Sequence, residues 1–165
     1  APQAEEGGVS FQIVGPASGG ALITGDRDQV LQVIQNLAEN ALKYSPRGAQ
    51  VAVEIVPGLT ATVAASPRSG HTGYISLLTP DHALGQIYTA LRVQDAGPGL
   101  AREHLPRLTE RFYRVEGQKS GERAGTGLGL AIVKHIVNRH RGGLSVESAE
   151  GEGAAFTAYF PSRQA

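Results

Sequence analysis

Asp26–Tyr44 reads DRDQVLQVIQNLAENALKY, and this stretch decides the fold class. Val30, Ile34, Leu37, Ala38 and Ala41 recur at helical spacing and predict a buried stripe. Asp26 has the side chain of an N-cap, and Gln29 three residues later completes a capping-box pattern. Ser45-Pro46-Arg47-Gly48 stops the helix. At about 100° per residue, Asn36, Asn40 and Lys43 project within roughly 60° of one another, opposite the apolar stripe. Asparagine is a weak helix former, and Lys or Glu usually fills a merely wetted face. Two readings fit this side of the helix: a solvated face, or a face reserved for a polar ligand.

Outward from the helix, Val9–Val14, Ala49–Val56 and Ile87–Gln94 read as strands, and Ala21–Thr24 as a scrap of extended chain. Ala101–Leu108 reads as a short helix, and Phe112–Ala124 as a mobile polar segment. Leu128–Arg139 is a second strong helix with Leu130, Ile132, Val133, Ile136 and Val137 as its apolar set, ended by Gly142-Gly143. Leu144–Ser148 and Ala155–Phe160 form a closing hairpin. The order implies one α/β domain over residues 1–165. It is a two-layer sandwich of a mixed β-sheet with about three helices on one face. Residues 57–86, rich in Gly, Ser, Thr and Pro, read as a solvated surface insertion. An irregular hairpin of Thr60–Ala65 with Tyr74–Leu78 is the other reading.

Composition narrows the function classes. The 165 residues are 41% hydrophobic and 18% charged, as in a soluble globular domain rather than a disordered chain. No apolar run approaches the ~20 residues of a membrane span. The chain has no cysteine, which removes disulfides, thiol nucleophiles and cysteine-held metals. It also has no methionine, so it reads as part of a longer protein. Net charge is zero, yet residues 101–141 hold nine Lys/Arg against four acids. That local excess suits an anionic ligand.

Two further segments carry chemistry. Asp95-Ala96-Gly97-Pro98-Gly99 follows a strand: the carboxylate suits an amine donor, and the glycines let a flat ligand approach the backbone. The same residues also make a good tight turn. Gly125-Thr126-Gly127-Leu128-Gly129 opens a helix, where exposed N–H groups bind phosphate, or it is a flexible hinge. It is neither a Rossmann fingerprint nor a Walker A loop.

Asn-x-x-x-Asn-x-x-Lys-Tyr, Asp-x-Gly-x-Gly and Gly-x-Gly-x-Gly in this order resemble the catalytic, ATP-binding domain of bacterial sensor histidine kinases. That family lies within the group of gyrase-type and chaperone ATPases. The similarity runs from about Val9 to Pro161, and Leu105–Arg114 looks like the family's phenylalanine box. The wording from there to His135 is most similar to phosphate-regulon sensor kinases.

The resemblance implies that Asn40 is a Mg2+ ligand, since magnesium takes oxygen donors. By the same resemblance Asn36, Lys43 and Arg114 would lie at the phosphates and the transferring group, and Tyr44 along the adenine or ribose. Asp95 would accept the adenine amino group, with Gly97 and Gly99 seating the purine. Residues 112–126 would form an ATP lid, with Lys119 or Arg123 also in reach of the phosphates. Gly125, Thr126, Gly127, Leu128 and Gly129 would cradle the phosphates. Gly153-Ala154 stands where many relatives have Gly-Ser or Gly-Thr, so a hydroxyl near the adenine is missing.

The implied activity is transfer of the γ-phosphate of Mg-ATP to a histidine on a separate dimerisation domain, for relay to a response regulator. His71, His82, His104, His135 and His140 all lack the family's phosphoacceptor context, so the chain carries no acceptor of its own. Membrane anchoring would belong to the full-length inner-membrane protein, with this domain cytoplasmic. Two rivals remain. An ATPase of the same superfamily needs a carboxylate where Asn36 stands, because an amide is no general base. A non-enzymatic regulatory module fits the intact motifs less well. Nucleic-acid binding lacks interleaved aromatics.

Overall fold

The computed structural model describes residues 10–14, 23, 25–44, 50–60, 63–64, 73–80, 85–95, 97, 129–148 and 153–162. Eight elements follow in order: β1 (Ser10–Val14), α1 (Arg27–Tyr44), β2 (Gln50–Thr60), β3 (Gly73–Leu78), β4 (Ile87–Gln94), α2 (Gly129–Arg139), β5 (Gly143–Ser148) and β6 (Ala154–Pro161). They build one six-stranded sheet in the order β1-β2-β4-β6-β5-β3. β1 and β2 run parallel and the other neighbours antiparallel, so the sheet is mixed as expected. Ile23 adds an isolated antiparallel bridge to Ser162, which is where the extended scrap goes. The helix expected at Ala101–Leu108 and the lid at 112–126 lie outside the described residues.

Strand alternation sorts the sheet into two faces. Val51, Leu91, Val93, Leu144, Val146, Phe156, Ala158 and Phe160 meet Val33, Leu37 and Ala41 of α1 and Val133, Ile136 and Val137 of α2 in the main core. Both helices therefore lie on one face. The opposite face is not wet. Tyr88, Ala90 and Tyr159 are buried there together with Ala64, and the Tyr88 and Tyr159 rings meet edge-on at 5.5 Å. Beside them Arg92 and Glu147, also buried, approach to 3.8 Å, and Arg92 Nη1 donates to Gln94 Oε1 at 3.0 Å.

Residues 57–86 keep the strand read at Tyr74–Leu78 but neither its expected partner nor a wholly solvated course. β2 runs on to Thr60, Ala64 is buried, and Gly73–Leu78 is a sheet strand. That strand pairs with β5 at the far edge of the sheet, not with residues 60–65. The described part of the segment thus contributes strand to the sheet, while Gly58, Thr60, Val63, Thr79 and Gly85 stay exposed. The pairing eluded the local pattern because its partner lies some seventy positions downstream.

The second helix also ends differently. Arg141, at φ 60°, takes the left-handed position, with Arg141 N donating to Asn138 O at 3.0 Å and Gly142 N to Val137 O at 2.9 Å. These are the two bonds of a Schellman cap, closed by an arginine instead of a glycine. Gly142 and Gly143 serve close packing: a Cβ on Gly143 would lie 2.1 Å from the Tyr159 ring.

Candidate nucleotide site

Three local structures set the geometry. The first is the start of α1, where Gln29 N donates to Asp26 Oδ1 at 3.1 Å, the N-cap expected from the sequence. From there α1 presents Asn36 and Asn40. Contrary to the helical-wheel expectation, Asn40 is not opposite the apolar stripe: it is 9% exposed, on the same arc as Val33, Leu37 and Ala41. The reason is that α1 is covered twice, by the sheet and by α2, which widens its buried arc beyond the apolar residues. Among the described residues the Asn40 amide makes no hydrogen bond. Asn40 as a residue is nine-tenths buried, and its side-chain carbonyl oxygen is of the donor type that magnesium takes.

The second structure joins α1 to the start of α2: Asn36 Nδ2 donates to Gly129 O at 3.4 Å. The glycine is not demanded by packing, since a Cβ there would meet nothing within 4 Å. Gly129 is exposed and faces open space at the first residue of α2.

The third is the end of β4. Asp95 is 5% exposed, and its Oδ1 accepts from Gly97 N at 2.9 Å and from Ala154 N at 3.2 Å. Asp95 N donates in return to Ala154 O at 2.8 Å. The carboxylate is thus fixed in orientation by its own turn and by the first residue of β6. Behind it, Ser148 Oγ donates to Gly153 O at 2.7 Å, and Gly153 takes φ 77°. The sequence marked Gly153-Ala154 only for a missing hydroxyl. The contribution of Ala154 is made through its backbone N–H and C=O, which leave no trace in residue type.

The structure therefore joins Asn36 to Gly129, and Asp95 to Gly97 and Ala154. Asn40 and Asp95 share no hydrogen bond among the described residues. Lys43 and Tyr44 close α1, and the roles expected of their side chains fall outside what is described. So do Gly99, Arg114, Gly125, Thr126, Gly127 and Leu128. The tyrosines whose hydroxyls burial pushes up, Tyr74, Tyr88 and Tyr159, belong to the opposite face of the sheet and not to this site.

The family described as histidine kinase-, DNA gyrase B- and HSP90-like ATPase matches residues 25–164, which include all three structures. This chain belongs to that family. It is 34% identical over 162 residues to the phosphate regulon sensor protein PhoR of Pseudomonas aeruginosa, covering 98% of this chain and 30% of that protein. Sensor histidine kinase WalK of Bacillus subtilis is 32% identical over 139 residues, covering 84% of this chain and 19% of WalK. The chain thus spans less than a third of these curated relatives. Among solved structures, the mycobacterial sensor histidine kinase MprB aligns with TM-score 0.71 at 24% identity, over 99% of this chain and 90% of that one, which shows the shared fold. Full-length ShkA, crystallised with AMPPNP, aligns with TM-score 0.67 at 25% identity, over 99% of this chain and 28% of ShkA. Among the described residues no helix of this family member is long and apolar enough to cross a membrane.

Proposed function

We propose that this chain is the ATP-binding catalytic domain of a sensor histidine kinase. It passes the γ-phosphate of ATP to a histidine on a separate dimerisation domain, from which a response regulator takes it. The observation that carries the reading is Asp95: a buried carboxylate whose orientation two backbone N–H groups fix, at the end of a central strand. Such a group selects a planar ligand with an exocyclic amine, as adenine is. Membership in an ATPase and kinase family, and the AMPPNP in the ShkA crystal, support the same nucleotide.

Asp95 anchors the base, and Gly97 leaves room for it to lie against the turn. Asn40 would hold Mg2+, which supplies charge neutralisation on the phosphates. Asn36 carries an amide that is already a donor, to Gly129 O. It can donate to a phosphate oxygen and cannot deprotonate water, which favours transfer to a protein acceptor over hydrolysis. Lys43, Tyr44, Arg114 and residues 125–128 complete the pocket in this reading, with 112–126 as its lid. The reading also makes the domain one part of a membrane-anchored sensor.

The test mixes this chain, radiolabelled ATP with magnesium, and the histidine-bearing dimerisation domain of a PhoR-type kinase. Label appears on the partner, and Asp95→Asn and Asn40→Asp abolish it. Isothermal titration with AMPPNP shows Asp95→Ala weakening binding by about 10- to 150-fold, the worth of a hydrogen bond to a charged group. Label on the chain itself, or steady release of phosphate without the partner, overturns the proposal.

A further inference from the structure

His140 closes α2 and reaches back to the beginning of α1. Its Nε2 accepts the backbone N–H of Asp26 at 3.0 Å, across 114 positions of sequence. Its Nδ1 lies 2.8 Å from Ile136 O. A carbonyl can only accept, so Nδ1 carries the proton and Nε2 is the bare acceptor: the imidazole is neutral and in one tautomer. Two further contacts hold the ring. It packs edge-on against Phe160 with centroids 5.8 Å apart. Gly25 leaves room on the other side, where a Cβ would stand 2.6 Å from the His140 Cδ2.

The bond is the far member of a pair. Asn36 bonds Gly129 at one end of the contact between the two helices, and Asp26 bonds His140 at the other. From Asp26 to Asn36 α1 rises about 15 Å, and from Gly129 to His140 α2 rises about 16 Å, at 1.5 Å per residue. The helices are therefore antiparallel neighbours pinned at both ends, with matched lengths between the pins. One pin uses an asparagine of the candidate site. The other is set by an imidazole.

We infer that His140 is a positioning residue that holds the asparagine-bearing helix in register with the helix following the lid, and that it does so only while neutral. A second proton on Nε2 turns the acceptor into a donor facing the Asp26 N–H. The ring must then leave, or turn to the Asp26 carboxylate and compete with its cap on Gln29. Asp26 meets the ring through its backbone N–H. Arg27 and Asp28 on α1, and Arg139 and Arg141 flanking His140, are exposed, and Phe160 of β6 does not titrate. Acid thus loosens the start of α1, and the displacement is transmitted along the helix to Asn36 and Asn40. This rests on the nucleotide reading only for its effect on affinity, not for the coupling itself.

The coupling is tested first without nucleotide, on the 165-residue chain. Long-range 1H–15N spectra at about pH 8 show His140 with Nδ1 protonated. Between about pH 8 and about pH 5.5, the range in which imidazoles change charge, the Asn36 side-chain amide follows any change in the His140 ring nitrogens. In His140→Gln, which keeps an acceptor but no titration, the Asn36 amide is flat across this range. Gly25→Ala, which keeps the imidazole but displaces it, moves the Asn36 amide already at about pH 8. AMPPNP with magnesium then binds wild type about 2- to 12-fold less tightly at the acid end relative to His140→Gln, the range of one net hydrogen bond. The ligand's own titration cancels in that ratio. A protonated Nε2 at about pH 8, an Asn36 amide blind to the His140 titration, or parallel loss of affinity in both proteins overturns the inference. Failure of wild type to bind AMPPNP at about pH 8 counts against the proposed function, and the amide comparison still decides this one.

Discussion

Tyr159→Phe should make this protein more stable, and increasingly so in alkali. Tyr159 is fully buried on the outer face of the sheet, and among the described residues its hydroxyl has no hydrogen-bond partner. A buried hydroxyl without a partner costs about 1–3 kcal/mol, so its removal stabilises by about 1 kcal/mol at neutral pH once some relaxation is allowed. In a chain of this length that raises Tm by about 2–4 °C. Burial, helped by Tyr74 and Tyr88, also pushes the Tyr159 ionisation up from 10.0 to about 12. The unfolded chain therefore releases this proton first, and wild-type stability falls as pH rises from 10 towards 12. At about pH 11 the linkage is worth about 1.4 kcal/mol, one pH unit of differential proton binding. The gap between Phe and wild type thus widens from about 1 to about 2.4 kcal/mol. Urea unfolding at about pH 8 and about pH 11 measures both. A loss of more than about 1 kcal/mol in Tyr159→Phe at pH 8 would mean that the hydroxyl has a partner. Equal gaps at the two pH values would mean that it meets water.

Arg141→Gly relieves a left-handed residue, worth about 1–2 kcal/mol, against about 0.5–1 kcal/mol of extra chain entropy in the unfolded state. Tm rises by about 1–4 °C in a thermal melt, and a fall would show that the arginine side chain contributes more than its strained backbone costs. Glu147→Ala takes the carboxylate from beside buried Arg92 and lowers urea-unfolding stability by about 3–5 kcal/mol. Arg92→Leu with Glu147→Leu costs less than Glu147→Ala alone, and a larger loss in the double variant would refute the account of that pair.

Where a residue's partner lies nearby in sequence, its position was legible. Asp26 reads as an N-cap and is one, and Ile87–Gln94 is a strand with the bounds its alternation gives. The turn after β4 was legible because Asp and Gly there serve side-chain and backbone needs that residue type reveals. What escaped depends on layers and distance. Asn40 lies on the buried side because α1 has two neighbours, so the arc around Val33 is covered as well as the stripe facing the sheet. Arg141 took the cap because the glycines that follow are consumed by contact with Tyr159, which no local pattern records. Asp26 and His140 are joined through a backbone N–H and a ring, 114 positions apart. Neither partner announces the other.

β3 has a consequence for how the chain matures. It hangs at the sheet's margin on β5 alone among the described strands, while the strands before and after it in the chain pair with each other. Closing so long a loop before its partner exists carries entropy with no return, so docking of Gly73–Leu78 waits for the C-terminal hairpin. The strand therefore docks after the hairpin it pairs with. A truncation that spares every helix yet removes the final two strands would leave this edge with nothing to zip onto.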